Sequence, residues 1–157
     1  VPAGLNDTEM ALVRDELLLS KLQAFRPDAI VLQCGADAVE EDPQSRLSLS
    51  NNAHWDVVRS IMGLASGLLV LGGGGYNPWS VGRLWSGVWA TLNEYEIPDV
   101  LPKQAEAVFR GLSFEGNSRG RNPPAHWFTT LRDVPRNSLI RVEVRDGVAK
   151  LAARQSV

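Results

Sequence analysis

Two short segments carry the residues with the clearest chemical potential. One is Gly35-Ala36-Asp37, and the other is a run of four glycines at 72–75 followed by Tyr76. A carboxylate such as Asp37 can bind a divalent metal or orient a reacting group, and a tyrosine hydroxyl can donate a hydrogen bond to a developing oxyanion. Successive glycines cost chain entropy, so this loop needs close backbone approach or a positive φ. Plainer interpretations are a turn aspartate, a packing tyrosine and a tight structural turn.

The glycine run could also hold a phosphate, because it precedes a predicted helix whose first N–H groups would favour an anion. The dinucleotide fingerprint requires glycine at 72, 74 and 77, but position 77 is Asn. A P-loop requires Gly-Lys followed by Ser or Thr, whereas this run continues as Tyr-Asn-Pro. Pro78 also removes one N–H at the helix start. A nucleotide-binding domain is therefore the third of three functional hypotheses.

Helical and strand-like patterns alternate along the chain before Pro98. Apolar residues recur at three- and four-residue steps in the predicted helices, and two short apolar runs have the composition of strands buried on both faces. In chain order the elements are helix 9–25, strand 29–34, helix 52–66, strand 68–71 and helix 78–92. This order predicts an α/β fold with a parallel sheet.

The carboxyl ends of both strands are predicted to meet at one edge of that sheet. Crossovers between parallel strands are right-handed, so both strands point the same way. Ligands of open α/β sheets bind at the edge where the strands end. Asp37 follows the first strand and Tyr76 follows the second. We therefore expect both residues at one functional edge.

Local signals indicate where the helices begin and end. Asn6 and Glu9 have the spacing of a capping box, which predicts the start of the first helix. Pro27 lacks an N–H and disfavours helix in the preceding residue, so the first helix should stop by about residue 25. Asn77 and Pro78 suit the cap and first turn of the third helix.

The pattern weakens after Pro102. Residues 116–124 are turn-rich and basic and are predicted to wrap the surface, with Arg119 and Arg121 as solvated charges. Further on, apolar residues alternate over 140–144 before Asp146-Gly147, which indicates a hairpin. The same tail also fits a terminal helix broken by Gly147, and the sequence leaves both alternatives open.

The composition of the 157 residues is that of an ordinary globular domain, with 44% hydrophobic and 22% charged residues. A net charge of −2 argues against a general nucleic-acid or membrane binder. No apolar run approaches the ~20 residues that span a bilayer, and no signal peptide is evident. The single cysteine, Cys34, excludes an internal disulfide, is interpreted as a core thiol and fits a reducing, cytoplasmic location. The lack of an initiator Met suggests a start inside a longer protein.

Several segments taken together resemble the histone deacetylase superfamily. They are FRPDAIVLQCGADAVEEDP (25–43), LLVLGGGGYNPWSVGRLW (68–85) and EIPDVLP (96–102). The resemblance is to the C-terminal half of the superfamily, closest to its bacterial acetoin-utilisation-like members, and GNSRGRNPPAHWFTTLRDVP (116–135) is similar to their extension. It implies a three-layer, parallel-sheet fold of the arginase/deacetylase type. Residues 1–103 would be the C-terminal portion of the catalytic domain and residues 104–157 an extension packing on it.

The resemblance also implies roles for individual residues. Asp37 matches the family's second zinc-binding aspartate, and Tyr76 matches the tyrosine that polarises the scissile carbonyl. Gly74 and Gly75 match the loop that lines a narrow acyl-lysine tunnel. The remaining matches are two residues at the tunnel rim and one arginine beneath the active site, namely Pro43, Gln44 and Arg83. The implied reaction is zinc-dependent hydrolysis of an acetyl-amide of lysine or of a polyamine-like compound, with Tyr76 stabilising the tetrahedral oxyanion.

Some elements of the family are absent from this sequence. Its other zinc ligands, an Asp-x-His motif, and its tandem His-His general base do not occur, and His54 and His126 both stand in Ala-His-Trp. Because catalytic zinc takes three protein ligands, we expect a fragment that binds zinc weakly and is inactive alone. Zinc is expected in the complete protein, and potassium in the missing half. An uncovered sheet edge predicts self-association or pairing with the N-terminal half.

A second hypothesis belongs to a different functional class. The same edge of the sheet could belong to a non-catalytic α/β domain that binds acylated ligands or a partner protein. An upstream His-His and Asp-x-His in the parent gene would favour the enzyme, and their absence would favour the binding domain. Phosphate or nucleotide retained on purification would favour the nucleotide-binding hypothesis.

Overall fold

The computed structural model describes residues 2–116 and 122–154, so Arg119 and Arg121 lie outside the described residues. Helices and strands alternate in the first part of these ranges, as predicted. The elements in chain order are α1 (α-helical over Asp7–Leu12, π-helical over Val13–Leu19, α-helical over Ser20–Phe25), β1 (Ala29–Gln33), a 3₁₀ turn (Ala36–Ala38), α2 (Asn51–Ile61), β2 (Gly67–Leu71), α3 (Pro78–Leu92), α4 (Lys103–Gly111), α5 (His126–Thr129) and α6 (Val142–Ala152).

Both ends of helix α1 are set by the signals that predicted them. The Asn6 side chain accepts a hydrogen bond from the Glu9 N–H at 3.0 Å, and the Glu9 carboxylate accepts one from the Asn6 N–H at 3.2 Å. This reciprocal pair is the predicted capping box. At the other end, Arg26 adopts a left-handed conformation with φ of 49°, directly before Pro27. The helix therefore stops at Phe25, as the sequence indicated.

Strands β1 and β2 form a parallel pair, with Ile30 opposite Leu68 and Leu32 opposite Val70. These side chains share one face of the sheet, and Leu32 and Val70 pack against the main hydrophobic core. The backbone pairing continues past the last paired residues, since the Cys34 N–H donates to the Leu71 carbonyl at 2.8 Å. The two strand ends are thus held together where the functional edge was predicted.

The prediction that both faces of the strands are buried is wrong for the described residues. On the second face Val31 is 65% exposed, Leu69 54% and Leu71 43%. The reason is that the described helices cover only the face that carries Ile30. Apolar side chains in a row on an open sheet face indicate a surface that another layer could cover.

Helices α2 and α3 pack against each other within the main hydrophobic core. Trp55 of α2 is 1% exposed, and its indole N–H donates to the Leu84 carbonyl of α3 at 2.9 Å. Gly87 permits this close packing, because a Cβ there would lie 2.0 Å from Trp55 Cε2. The two helices together support the loops at the carboxyl end of the sheet.

The described part of the C-terminal tail contains a helix over Val142–Ala152, so the hairpin alternative is wrong. Helix α6 also runs through Gly147 without a break. Val144 and Val148 lie four residues apart, one helical turn, and both are buried in a second hydrophobic cluster with Leu5 and Leu49. Burial of this apolar stripe outweighs the helix-weakening effect of one glycine, which is about 1 kcal/mol.

The contact between α1 and the tail makes stability depend on pH. Arg141 donates to both carboxylate oxygens of Glu9, at 2.8 and 2.7 Å, and lowers the pKa of Glu9 from 4.5 to about 2. A depressed folded-state pKa stabilises the protein above the unfolded-state pKa of 4.5, and this contribution disappears as pH falls through about 2. Glu9→Gln is therefore expected to destabilise the protein at neutral pH and progressively less as the solution is acidified.

Urea unfolding of wild type and Glu9→Gln, at about pH 6 and about pH 3, measures this dependence. Glu143→Gln is the matched control, because Glu143 faces the same arginine at 3.8 Å but is 62% exposed. Its replacement should change stability little at either pH. A constant difference between wild type and Glu9→Gln across the pH range would contradict this account.

Candidate functional site

The two loops that follow the strands are joined by a direct hydrogen bond. Asp37 lies in the 3₁₀ turn after β1, and the N–H of its neighbour Ala36 donates to the Gly74 carbonyl at 2.7 Å. The glycine run follows β2 at the same end of the sheet. The structure therefore brings the Asp37 loop and the loop that ends in Tyr76 together, at the edge that the sequence indicated.

The glycines on either side of Asp37 make room for its carboxylate. A Cβ at Gly74 would lie 2.2 Å from Asp37 Oδ2, and a Cβ at Gly35 would lie 2.3 Å from Asp37 Oδ1. Gly73 is equally constrained, since a Cβ there would lie 1.8 Å from Gln33 Nε2. Close approach of the Asp37 and Gln33 side chains thus explains these glycines, and a larger residue at Gly35 or Gly74 would displace the Asp37 carboxylate.

Gly75 is required for a different reason. Its φ is +154°, and a Cβ there would lie 2.6 Å from Val81 Cγ2 and 3.0 Å from the Ala36 Cβ. Backbone conformation and contact both exclude a side chain at this position. Gly75 therefore sets the path of the chain between the Ala36–Gly74 bond and Tyr76.

The start of α3 is not arranged to bind a phosphate. The Asn77 side chain caps the helix and accepts hydrogen bonds from the N–H groups of Trp79 at 3.1 Å and Ser80 at 3.4 Å. Pro78 supplies no N–H. The donors that would cradle an anion are thus already used within the chain, which disfavours the nucleotide-binding hypothesis.

Asp42 connects the two functional segments. It is fully buried, its Oδ2 accepts a hydrogen bond from the Tyr76 N–H at 2.6 Å, and its Oδ1 accepts one from the Gln44 N–H at 2.9 Å. Tyr76 is 47% exposed, and its hydroxyl has no hydrogen-bond partner among the described residues. At the predicted tunnel rim, Pro43 is half-buried and the Gln44 side chain is exposed.

His54 and Cys34 lie next to the loop that carries Asp37. His54 Nε2 lies 3.2 Å from the Gly35 carbonyl oxygen, two residues before Asp37. Burial lowers the pKa of His54, and the carbonyls of Gly35 and Ser50 only partly offset this effect. Cys34 is 5% exposed and is therefore a core residue, as predicted, and its burial raises the pKa of the thiol.

Arg83 lies in the interior, 1% exposed, and forms an ion pair with Asp133 Oδ1 at 2.6 Å. Its guanidinium also donates to the Thr130 and Arg132 carbonyls, each at 2.9 Å. Burial lowers the pKa of Arg83, and the charge of Asp133 works against that shift. Asp133 Oδ2 in turn accepts the Asn51 N–H at 3.0 Å. Arg83 thus anchors the segment after α5 against α2 and α3.

The described residues do not form a complete zinc site. Within 2–116 and 122–154, no three or more His, Cys, Asp or Glu side chains are grouped so that they could hold a metal ion. Asp37 offers one carboxylate, whereas catalytic zinc takes three protein ligands. A metal at this edge would therefore need ligands from elsewhere.

None of the described helices is long and apolar enough to cross a membrane.

Sequence reasoning did not single out Asp42, Gln33 or His54 as parts of this edge. Asp42 stands in an acidic run next to Pro43, which marks a loop but gives no sign of burial. Its bond to the Tyr76 N–H joins positions 34 residues apart. No local pattern reports a contact of that kind, so only the folded chain reveals it.

Comparisons with known proteins identify the family. Residues 1–92 match the histone deacetylase domain. Human histone deacetylase 1 is 31% identical over 112 residues, covering 71% of this chain and 23% of the relative. Histone deacetylase 9 of Arabidopsis thaliana is 32% identical over 100 residues, covering 64% of this chain and 24% of the relative.

Solved structures agree with these relatives. The crystal structure of an HDAC homolog from Aquifex aeolicus is 31% identical, with a TM-score of 0.85, and covers 98% of this chain and 41% of that chain. An HDAC homolog complexed with SAHA is 30% identical, with a TM-score of 0.82 and the same coverage. This likeness confirms the predicted α/β fold of the arginase/deacetylase type.

The chain spans less than a quarter of the length of the two curated relatives and 41% of the two solved homologues. The match nevertheless includes Asp37, the glycine run and Tyr76, all of which lie within residues 1–92. Sequence and fold therefore lead to one assignment, which is that this chain belongs to the histone deacetylase domain family.

Proposed function

We propose that this chain forms one side of the active site of a deacetylase that hydrolyses acetyl-amides of lysine or of polyamine-like compounds. The observation that carries the proposal is the Asp37 carboxylate, which lies against Gly74 in the loop that ends at Tyr76. Two groups suited to acyl-amide chemistry, a carboxylate and an exposed phenol, thus come from joined loops. The family and its SAHA-complexed homologue support the same reaction class.

Each residue has a defined role in this proposal. The Tyr76 hydroxyl donates a hydrogen bond to the oxyanion that develops on the amide carbonyl. Asp37 would be one ligand of the zinc that the family implies. Gly74 and Gly75 keep the approach to these groups free of side chains, with Pro43 and Gln44 at its rim. Arg83 supports the site from below through its buried contacts.

The remaining ligands and the general base are proposed to come from the N-terminal half of the same domain. The open sheet face that carries Val31, Leu69 and Leu71 gives this half an apolar surface to cover. Potassium would bind mainly in that half. The chain alone should bind zinc weakly and lack activity. We further propose a cytoplasmic protein of the bacterial acetoin-utilisation-like type.

Reconstitution tests this proposal. The N-terminal half and this chain, produced separately and mixed with zinc, are expected to hydrolyse a fluorogenic acetyl-lysine peptide, while neither part does so alone. An acetylated polyamine assayed in parallel separates the two substrate classes. Sizing chromatography should show a one-to-one complex in the mixture. The proposed pairing with the N-terminal half would be contradicted if this chain stays monomeric, does not bind a hydrophobic dye and forms no complex with that half.

A non-catalytic domain that binds acylated ligands remains the second candidate. The incomplete set of metal-binding side chains among the described residues favours it. The complete protein distinguishes the two candidates, because it should turn over the acetyl-lysine peptide if it is an enzyme. Binding of the peptide without turnover would favour the second candidate.

A further inference from the structure

We propose that Asp42 is a positioning residue for Tyr76, and this inference rests on the proposed function. Asp42 follows the Asp37 turn in the chain but contacts the loop after β2. Its carboxylate is fully buried and accepts the Tyr76 N–H at 2.6 Å. One side chain thus links the loop of the proposed metal ligand to the backbone of the proposed oxyanion donor.

The exposure of Tyr76 makes this link important. A buried aromatic ring is oriented by the side chains packed around it, but Tyr76 is 47% exposed. Its direction therefore depends more on its backbone, which is held on one side by the Ala36–Gly74 bond and on the other by Asp42. Gly75 lies between these two points and has a φ that other residues rarely adopt. Asp42 thus fixes the end of a segment that has no side chains of its own.

The negative charge of Asp42 suits it to this task. Its two oxygens accept two backbone N–H groups, that of Tyr76 at 2.6 Å and that of Gln44 at 2.9 Å. Hydrogen bonds to a charged group are stronger than neutral ones. The same carboxylate therefore also sets the position of the proposed tunnel rim. A second hydrogen bond links the same two loops, since the Asn77 side-chain amide donates to the Glu41 carbonyl at 3.2 Å.

Asp42→Asn is the sharpest test, because it keeps the size of the side chain. The amide can accept one N–H, but its NH₂ group then faces the other donor. In this chain, amide hydrogen exchange at Tyr76 and Gln44 should become about tenfold faster or more. Asp56→Asn is the matched control, since the Asp56 side chain is 50% exposed and pairs with Arg59 on the surface. Unchanged exchange at Tyr76 in Asp42→Asn would show that Asp42 does not hold the Tyr76 backbone and would overturn the proposal.

Kinetics of the complete protein test the functional part. Asp42→Asn is expected to lower kcat by about tenfold to a hundredfold while KM changes less, because a small misplacement of a reacting group slows the chemical step. In a Tyr76→Phe background the same substitution should change kcat by less than about twofold. Equal effects of Asp42→Asn in both backgrounds would show a general structural role and overturn the positioning role.

The two kinds of failure can be distinguished. If the proposed function is wrong, the complete protein does not turn over the peptide, or Tyr76→Phe leaves turnover unchanged, while Tyr76 amide exchange still responds to Asp42→Asn. If the positioning role is wrong, Tyr76→Phe lowers turnover and Asp42→Asn acts independently of it. Should Asp42→Asn not fold, exchange in the wild-type chain decides. A Tyr76 amide that is strongly protected from exchange, although the residue is exposed, supports the hydrogen bond to Asp42. A Tyr76 amide that exchanges rapidly overturns it.

Discussion

Tyr76→Phe is expected to lower turnover of an acetyl-lysine peptide by the complete protein by about 10²–10³-fold. The substitution removes the hydroxyl that would donate to the oxyanion and leaves the ring in place. Because that hydroxyl has no hydrogen-bond partner among the described residues, its loss should leave the free energy of unfolding nearly unchanged. The effect should fall on kcat more than on KM, since the donor acts on a charge that develops in the transition state.

A fluorogenic acetyl-lysine assay over a range of substrate concentrations, together with thermal unfolding of the same samples, checks this expectation. The chain has two tyrosines, so Tyr95→Phe is a matched control. Tyr95 is 60% exposed and lies against Trp89, with ring centroids 5.3 Å apart, in the segment after α3. Its replacement should leave turnover intact. Undiminished turnover in Tyr76→Phe would remove the oxyanion role.

Features that depend on neighbouring residues were predictable from the sequence. The capping box joins Asn6 and Glu9 across one helical turn, and Asn77 caps a helix whose first residue is Pro78. In each case the residue types and their spacing within a few positions are enough to indicate the local structure. The placement of the edge followed in the same way, because the Asp37 turn and the glycine run directly follow the two strands.

Contacts between distant positions could not be predicted. Asp42 has the same local sequence as a solvated loop acid, and its burial arises only when the loop after β2 supplies the Tyr76 N–H. The prediction for the strand faces is wrong for a related reason. The apolar composition of Val31 and Leu69 predicts a covering layer, and the described residues supply no such layer. The proposed N-terminal half would provide it.

Arg83→Met is expected to destabilise the chain by about 3–5 kcal/mol. Methionine fills much of the same volume but leaves Asp133, which is 6% exposed, without its counter-charge. The Thr130 and Arg132 carbonyls also lose their donors. Breaking an exposed ion pair leaves no buried charge without a partner, so the exposed Arg59–Asp56 pair, 3.0 Å apart, is the control. Arg59→Met should cost at most about 1 kcal/mol.

Urea unfolding of the two variants and of the double variant Arg83→Met/Asp133→Asn measures these effects. In the double variant no unpaired charge is buried, and the asparagine can still accept the Asn51 N–H that Asp133 accepts at 3.0 Å. It should therefore recover part of the stability that Arg83→Met loses. A loss in Arg83→Met no larger than that in Arg59→Met, or a double variant less stable than Arg83→Met alone, would show that the charge pair does not anchor the segment after α5.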